Sequence, residues 1–306
     1  MFANKTVYAL NSAAVGDLVA AAPTLKYTID NYHAKTPYLV GIYDDFKDLF
    51  PFVPADRFVA ITPDYPSDYS VRFLNPPRDK SNVCKITPSR MKLAHYGSIN
   101  LMAKVLNDVE LQYVPLEPVD VSRYGVDFDK AVVIITTYRD RQRSILPDEI
   151  LKISQYVASK GLTPVYVGKT GAISIWKKNL AISDFEYPGF GVDLRNQTTF
   201  RELASVMARS KAVVGMDSGP IHIAFTTQTP VVCGFTTVRP EYRVPFRGNA
   251  KTIAVVPNIH CNFCESDWNL NFWNFNNCPR KMDLAECVTK MTAARFIDGL
   301  DSLGIY

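Results

Sequence analysis

The chain has 306 residues, of which 47% are hydrophobic and 21% are charged, and its formal net charge is +4. This length accommodates two domains with full cores, and so small a net charge does not identify a nucleic-acid partner. No apolar run is long enough to span a membrane, and the N-terminus lacks the apolar region of a secretory signal. We therefore expect a cytoplasmic protein.

The first 61 residues alternate between strand and helix patterns, which predicts a parallel α/β sheet. Apolar runs predict strands at 5–11, 38–43 and 57–61, and helical spacing predicts helices at 18–33 and 45–52. A turn of small residues at 12–17 is expected to join the first strand to the first helix. Pro23 is expected near the first turn of that helix.

Residues 63–129 have a weaker pattern. They predict a loop-rich insert at 63–88 with one strand at 71–74, a helix at 91–107 and a connection between domains at 114–129. The insert and the helix are basic, with Asp79 as the one acidic residue between positions 72 and 104. This basic segment is either a solvated surface or a surface that faces an anion. Its basic residues are Arg72, Arg78, Lys80, Lys85, Arg90, Lys92 and Lys104.

The strand and helix alternation resumes at residue 131. Strands are predicted at 131–136, 163–167, 213–216, 230–235 and 252–256, and helices at 147–160, 199–210 and 284–303. Gly161 is expected to cap the first of these helices, and residues 198–202 are close to a capping box at the start of the second. The chain is thus expected to form two α/β domains, residues 1–125 and 126–306, with a cleft between them.

A buried strand, a polar turn and a helix start follow one another at residues 213–224. Asp217 and Ser218 are residue types that cap helices, Gly219 permits a tight turn, and Pro220 fits the first helical position. Such a turn lies at the carboxyl end of a parallel strand, where open α/β sheets bind ligands. Its backbone N–H groups could bind a phosphate.

Two segments resemble glycosyltransferase family nine, which includes the lipopolysaccharide heptosyltransferases. One covers residues 198–224 and 229–236 and contains Asp-Ser-Gly-Pro-x-His-x-Ala from Asp217 onward; the other is Gly16-Asp17 with residues 18–25. The resemblance implies a GT-B fold, in which two Rossmann-like domains with parallel sheets face a central cleft. It implies acceptor binding by residues 1–125 and nucleotide-sugar binding by residues 126–306. It also implies inverting transfer without an essential catalytic metal.

The resemblance makes Asp17 the candidate general base, because inversion by one displacement requires removal of the proton from the acceptor hydroxyl. Judged from the residues alone, Asp17 could instead cap the helix after Gly16. The resemblance also implies that Gly16 is one of the donor-binding residues. In the second segment, Asp217, Ser218, Gly219 and His222 are the implied donor site. His222 could contact a phosphate or be a buried histidine of the core, and Asp217 could orient the turn or contact a sugar hydroxyl.

A basic loop follows the strand at 131–136, where the family has positive charge beside the donor phosphates. Guanidinium groups can balance a diphosphate when no metal does, and the alternative is an exposed basic loop. Gly168 and Lys169 end the next strand and are expected to border the nucleobase or ribose, although a Walker A motif is absent. The triplet Asp127-Phe128-Asp129 precedes its strand, which argues against a metal site there. The candidate arginines are Arg139, Arg141 and Arg143.

Four of the six cysteines cluster near the C-terminus with the spacing C-x2-C-x13-C-x8-C. Four thiolates suit tetrahedral zinc, so a structural zinc site is one interpretation, with reduced buried thiols as the other. Cys233, in an apolar strand, is expected to be buried. The alternating aromatic and asparagine residues at 268–277 either pack on the domain or contact sugars or bases. The four cysteines are Cys261, Cys264, Cys278 and Cys287.

The function indicated by these features is transfer of a sugar from a nucleotide-diphospho-sugar to a surface glycan of the lipopolysaccharide type, in a bacterium or a virus-infected bacterial cell. Alternatives are a viral enzyme that glycosylates hydroxymethylated DNA bases, a non-catalytic nucleotide-sugar-binding module, and an epimerase. The basic segment suits either an anionic glycan or a DNA backbone. A peripheral contact with a membrane is compatible with the glycan acceptor.

Overall fold

The computed structural model describes residues 8–10, 15–32, 39–41, 46–54, 58–60, 70–72, 112–138, 141–175, 178–264, 278, 280 and 284–306. The chain divides into two compact units, Met1–Glu117 and Pro118–Tyr306. Among the described residues, no helix combines the length and apolarity needed to cross a membrane.

The N-terminal unit contains a parallel four-stranded sheet, as the alternating pattern predicts. Its strands are β1 (Tyr8–Leu10), β2 (Leu39–Gly41), β3 (Phe58–Ala60) and β4 (Ser70–Arg72), in the spatial order β3-β2-β1-β4. Every pairing among them is parallel. A 3₁₀ helix, Phe46–Leu49, lies between β2 and β3.

Helix α1 (Val15–Tyr32) starts earlier than the sequence predicts. Gly16 and Asp17 therefore lie in its first turn rather than in the preceding loop, and Pro23 lies inside the helix rather than near its start. A proline in a helix interior removes one backbone hydrogen bond, but tertiary packing can offset that cost. Here the packing comes from apolar side chains before and beside the proline that are at most 5% exposed, namely Leu18, Val19, Ala20 and Ala22.

The C-terminal unit is built on a parallel six-stranded sheet. Its strands are β5 (Ala131–Ile135), β6 (Thr163–Val167), β9 (Val192–Asp193), β10 (Ala212–Met216), β11 (Val231–Gly234) and β12 (Thr252–Val255). The spatial order is β12-β11-β10-β5-β6-β9, and every pairing is parallel. All residues of β5 and β10 are buried, as expected when helices cover both faces of a parallel sheet.

An antiparallel hairpin of β7 (Gly171–Ile175) and β8 (Lys178–Ser183) follows β6 and was not predicted from the sequence. Its connection, residues 176–177, is Trp-Lys, which is not among the residue pairs that mark two-residue hairpin turns. The pattern therefore gave no signal for it.

The described part of the C-terminal unit contains five α-helices, of which the first precedes β6. They are α2 (Pro147–Ser159), α3 (Phe200–Arg209), α4 (Gly219–Ala224), α5 (Glu286–Thr289) and α6 (Ala293–Leu303). Helix α2 buries Ile150, Ile153 and Val157, the face predicted from the sequence. Helix α3 begins with a complete capping box between Thr199 and Glu202, also as predicted.

The prediction of one continuous helix over 284–303 is wrong, because the chain forms α5 and α6 with a break between them. Thr292 is extended at the start of α6, and Glu149 of α2 accepts a hydrogen bond from the backbone N–H of Ala293 at 2.5 Å. Helix α6 packs against β11 at Gly299, where an added Cβ would lie 2.7 Å from Val232 Cγ1. These long-range contacts determine where α6 begins and allow it to pack closely against the sheet.

Candidate functional site

Polar side chains follow three neighbouring strands of the C-terminal sheet. Gln142 and Arg143 come after β5, Asp217 and Ser218 after β10, and Thr236 after β11. Because β5, β10 and β11 are adjacent and parallel, their carboxyl ends lie at the same edge of the sheet. This edge is where open α/β sheets bind ligands.

Asp217 is the centre of this group. Its side chain is 2% exposed, and its Oδ2 lies 3.3 Å from Arg143 Nη1 and 3.3 Å from Arg243 Nε. Its Oδ1 lies 3.6 Å from His222 Nε2. Burial by itself would raise the pKa of this carboxyl, but the charge of Arg243, the nearby His222 side chain and the charge of Arg143 outweigh burial and hold the pKa far below its usual range. Asp217 is therefore an anion that fixes three basic side chains.

His222 is buried on α4, and its ring lies edge-on to Phe225 with 5.8 Å between ring centres. The sequence left two roles open for His222, a buried core residue or a residue of the donor site. In the structure it is buried and also contacts Asp217. Helix α4 has only six residues, so its dipole is short. Charge balance for an anion at this edge would come mainly from the arginines.

Four polar oxygens at the same edge are buried without a hydrogen-bond partner among the described residues: Asp217 Oδ1, Ser218 Oγ, Thr237 Oγ1 and Gln142 Oε1. Ser218 occupies the N-cap position of α4, but its side chain makes no capping bond. Buried polar groups are nearly always paired in folded proteins, and exceptions call for a ligand, water or ion. The hydroxyl of Ser218 is therefore available to a ligand at the start of α4.

The structure distinguishes two of the three arginines of the predicted basic loop. Arg143 pairs with Asp217, whereas Arg141 is exposed at the start of the 3₁₀ helix Arg141–Arg143. Arg139 lies outside the described residues. Of the two that are described, Arg143 is the one at the sheet edge.

Gly168 and Lys169 lie at the end of β6, beside the end of β5. The backbone N–H of Lys169 donates to Thr137 Oγ1 at 2.6 Å. At Gly168 the backbone φ is +119°, and an added Cβ would lie 1.8 Å from Thr137 Oγ1. Gly168 and Lys169 thus lie beside the segment that leads from β5 into the arginine loop, and both are in close contact with Thr137 of that segment.

Sequence reasoning missed two arginines: Arg243, which lies beside Asp217, and Arg247, which lies at the opposite end of the sheet. Arg239, Arg243 and Arg247 recur every four residues between β11 and β12, which is the one signal that could have drawn attention to them. Arg247 is 5% exposed and donates to backbone oxygens of Thr227, Thr229 and Lys251 and to Thr252 Oγ1, and burial lowers its pKa to about 10. It stabilises the segment that follows α4.

Other predicted features lie away from this edge. Asp127 occupies the N-cap position of, and Asp129 lies within, the 3₁₀ helix Phe128–Lys130, which precedes β5 as expected, so both belong to the opposite end of the sheet. The backbone of Asp17 lies in the first turn of α1 in the other unit, and its side chain is outside the described part. Residues 73–111, which hold most of the basic segment and Cys84, and the aromatic stretch at 268–277 also lie outside the described residues.

No disulfide joins the clustered cysteines among the described residues, and Cys233 is a buried thiol in β11, as predicted. Cys261 and Cys264 lie in a turn after β12, Cys278 is buried, and Cys287 lies in α5. Burial, followed by the nearby Cys261 and Cys278, raises the pKa of the Cys287 thiol to about 11. Three of the thiols are thus close enough to interact. Within the described ranges, however, no three His, Cys, Asp or Glu side chains are arranged as a metal site.

A model of one protein family matches part of the chain. The family model "Glycosyltransferase family 9 (heptosyltransferase)" matches residues 177–273, a segment that contains the Asp217 turn and Cys261–Cys264. No curated protein matches the chain. The family match over this segment supports a glycosyltransferase of the heptosyltransferase-like kind and confirms the resemblance predicted from the sequence.

The fold is similar to several solved structures. The bacterial iron-containing dodecameric glycosyltransferase TibC from enterotoxigenic E. coli H10407 has a TM-score of 0.72 and 18% identity, over 100% of this chain and 80% of TibC. TibC in complex with ADP-D-β-D-heptose has a TM-score of 0.71 at 18% identity, over 98% and 76% of the two chains. The E. coli ADP-heptose lipopolysaccharide heptosyltransferase II has a TM-score of 0.61 at 11% identity, over 97% and 98%. The predicted GT-B fold is therefore confirmed.

Proposed function

We propose that the chain transfers a sugar, with inversion, from a nucleotide-diphospho-sugar to a hydroxyl of a surface glycan of the lipopolysaccharide type, in the cytoplasm. The observation that carries the proposal is the group of Arg143, Arg243 and His222 around the buried carboxylate of Asp217. Residues 126–306 would bind the donor, and residues 1–125 would bind the acceptor.

Support for the donor class comes from similar proteins. TibC was solved with ADP-D-β-D-heptose, and lipopolysaccharide heptosyltransferase II is described as an ADP-heptose enzyme. A diphosphate leaving group needs positive charge and hydrogen-bond donors near its oxygens. The arginines supply the positive charge, and the buried hydroxyl of Ser218 supplies a hydrogen-bond donor.

The proposed reaction is a single displacement. The acceptor oxygen bonds to the anomeric carbon while the bond from that carbon to the diphosphate oxygen breaks, and the electron pair leaves with the nucleoside diphosphate. Asp17 would accept the proton of the acceptor hydroxyl. Arg143 and Arg243, held by Asp217, would stabilise the charge that develops on the leaving group, so no metal is required in this step.

Gly168 and Lys169 complete the proposed donor site. They end β6, next to the strand that leads into the arginine loop, so they are suited to contact the nucleoside portion of a donor whose diphosphate lies beside Arg143. Gly16, in the first turn of α1, would lie beside the general base Asp17.

We extend the proposal to a structural metal ion bound by Cys261, Cys264, Cys278 and Cys287. Four thiolates suit tetrahedral zinc and also iron, and TibC is described as iron-containing. Such an ion would stabilise the fold around α5 and have no open position for chemistry. Elemental analysis of the purified protein for both metals tests this part. A content below about a tenth of an equivalent would contradict it.

Titration calorimetry with ADP and with ADP-D-β-D-heptose tests the donor site. We expect both to bind the wild-type protein, and we expect Arg143→Gln to weaken binding about tenfold or more, because a hydrogen bond to a charged group is lost. Lys211→Gln is the matched control, since Lys211 is exposed and precedes β10, at the opposite end of the sheet. Failure of the wild-type protein to bind either probe, or equal effects of the two substitutions, would contradict the proposal.

A further inference from the structure

Thr236 connects two segments that are far apart in sequence. It is 1% exposed and follows β11 at the edge that carries the candidate site. Its backbone oxygen accepts a hydrogen bond from Phe263 N–H at 2.8 Å. Its hydroxyl donates to the backbone oxygen of Gln142 at 2.5 Å. One buried residue therefore bonds to both segments.

The first segment is the turn Cys261–Cys264. Phe263, between the two cysteines, has a φ of +63°, a conformation that costs a bulky residue free energy and persists only where neighbours hold it. Other contacts hold this turn besides the bond to Thr236, among them a hydrogen bond from Arg280 Nη1 to Cys261 Sγ at 3.5 Å. The Arg239 guanidinium lies over the Phe263 ring at 5.2 Å, and Asn262 Nδ2 donates to the backbone oxygen of Pro257. The turn is thus fixed to the loop after β11.

The second segment is the 3₁₀ helix Arg141–Arg143. Gln142, whose carbonyl receives the Thr236 hydroxyl, directly precedes Arg143, and Arg143 pairs with Asp217 at 3.3 Å. Inside this turn, the Ser144 hydroxyl donates to the Arg141 oxygen at 2.7 Å. Among the described contacts, the Thr236 hydroxyl ties the arginine turn to the loop after β11.

We propose that Thr236 is a positioning residue that couples the Cys261–Cys264 turn to Arg143. A change in the conformation of the cysteine turn would then change the affinity of the donor site. This inference rests on the proposed function, because it assigns Arg143 to the donor. When the hydroxyl is missing, the arginine turn samples positions away from Asp217. Apparent affinity falls with the fraction of molecules that remain competent to bind.

Calorimetry with ADP on the full-length protein tests the positioning role. Thr236→Val removes the hydroxyl and keeps the shape and the backbone oxygen, and we expect it to weaken ADP binding about fivefold, the effect of one neutral hydrogen bond. Thr236→Ser should restore the affinity. Thr229→Val is the matched control: Thr229 is also buried, precedes the same strand, and donates to Met207 O at the opposite end of the sheet.

The coupling is tested with Cys261→Ser. We expect this substitution to weaken ADP binding in the wild-type background and to have no further effect in the Thr236→Val background. Full additivity of the two substitutions, or an ADP affinity of Thr236→Val equal to that of Thr229→Val, would overturn the proposal. Metal content of each variant shows whether the cysteine turn was altered as intended.

Hydrogen exchange separates this proposal from the proposed function. In the ligand-free protein, Thr236→Val should accelerate exchange of the backbone amides at 141–146, and Thr229→Val should not. If ADP fails to bind the wild-type protein while this difference is seen, the donor assignment fails and the positioning of the arginine turn by Thr236 stands. If ADP binds and the exchange is unchanged, the coupling is wrong and the donor site stands.

Discussion

Arg143 and Asp217 are 74 residues apart in the sequence, and their side chains meet at 3.3 Å where β5 and β10 end side by side. The pair is partly buried, with exposures of 15% for the arginine side chain and 2% for the aspartate. A second guanidinium, from Arg243, approaches the same carboxylate oxygen. The consequence is that the loops after three strands share one anion as their common contact.

Asp217→Asn should destabilise the protein, because it leaves two guanidinium groups beside a neutral side chain in a buried place. Removal of one partner from a buried ion pair costs about 3–5 kcal/mol. Denaturant unfolding at pH 7 measures the change, with Asp127→Asn as the control, since Asp127 pairs with Lys130 at the surface. A loss equal to that of the control would show that Asp217 does not organise the arginines.

Asp17→Asn should fold normally and lose most transfer activity. General-base catalysis contributes about 10²–10⁴ to a rate, so kcat should fall by about that factor. Donor binding should be unchanged, because an asparagine keeps the size of the side chain while removing its basicity. Turnover with the acceptor, measured beside the ADP affinity, checks both parts. Near-normal kcat would reduce Asp17 to a residue of the first turn of α1.

The ionised carboxylate of Glu149 should make the free energy of unfolding depend on pH in the acid range. Burial would raise the pKa of its carboxyl, but the Ala293 N–H and the Lys152 ammonium outweigh burial and lower it. A lowered pKa means that the contribution is present above the unfolded value near 4.3 and is lost as the pH falls through the folded value. The wild-type protein should therefore lose stability faster than Glu149→Gln between about pH 5 and 3.

The measurement for Glu149 is denaturant unfolding of both proteins at several pH values. At pH 7 we expect Glu149→Gln to be less stable by about 1 kcal/mol, the usual value of a helix cap. Parallel stability curves across the acid range would contradict the role of the ionised carboxylate. Asp217, whose pKa lies much lower, should contribute no slope between pH 5 and 8.

Arg247 should be required for stability as a hydrogen-bond donor. Arg247→Met keeps much of the volume but leaves the carbonyl groups of Thr227 and Thr229 without their donor, and each buried unsatisfied group costs about 1–3 kcal/mol. Arg247→Lys should also be destabilising, since one ammonium cannot reproduce a planar fork of donors. Thermal unfolding of both variants checks this, and full stability of the lysine variant would show that charge alone suffices.

Local patterns in the sequence predicted most strands and most helices well, but not β7, β8 or β9. The run at 163–167 predicted β6 with its observed bounds, and the capping box at Thr199 predicted the start of α3. These features depend on neighbours within a few residues, which the sequence displays directly. The choice of Arg143 over Arg141 could not be made this way, because it depends on which side chain reaches Asp217 across the sheet.

The misses have the same physical cause. The break before α6 depends on Glu149, which is 144 residues away from the amide that it caps. Arg243 enters the site through a loop whose sequence has no recognised motif. Pro23 argued for a helix start, but burial of its apolar neighbours outweighs the local preference. Each error lies where tertiary contacts override a local signal.

The tight fit of Gly168 against Thr137 has a consequence for sequence variation. Its φ of +119° and the 1.8 Å approach of a virtual Cβ to Thr137 Oγ1 exclude a side chain on two separate grounds. A change at residue 137 to alanine would remove the 1.8 Å approach but leave the residue's Cβ at 2.9 Å and the conformational obstacle unchanged. In a library randomised at residue 168, functional clones should retain glycine even when residue 137 is allowed to vary with it.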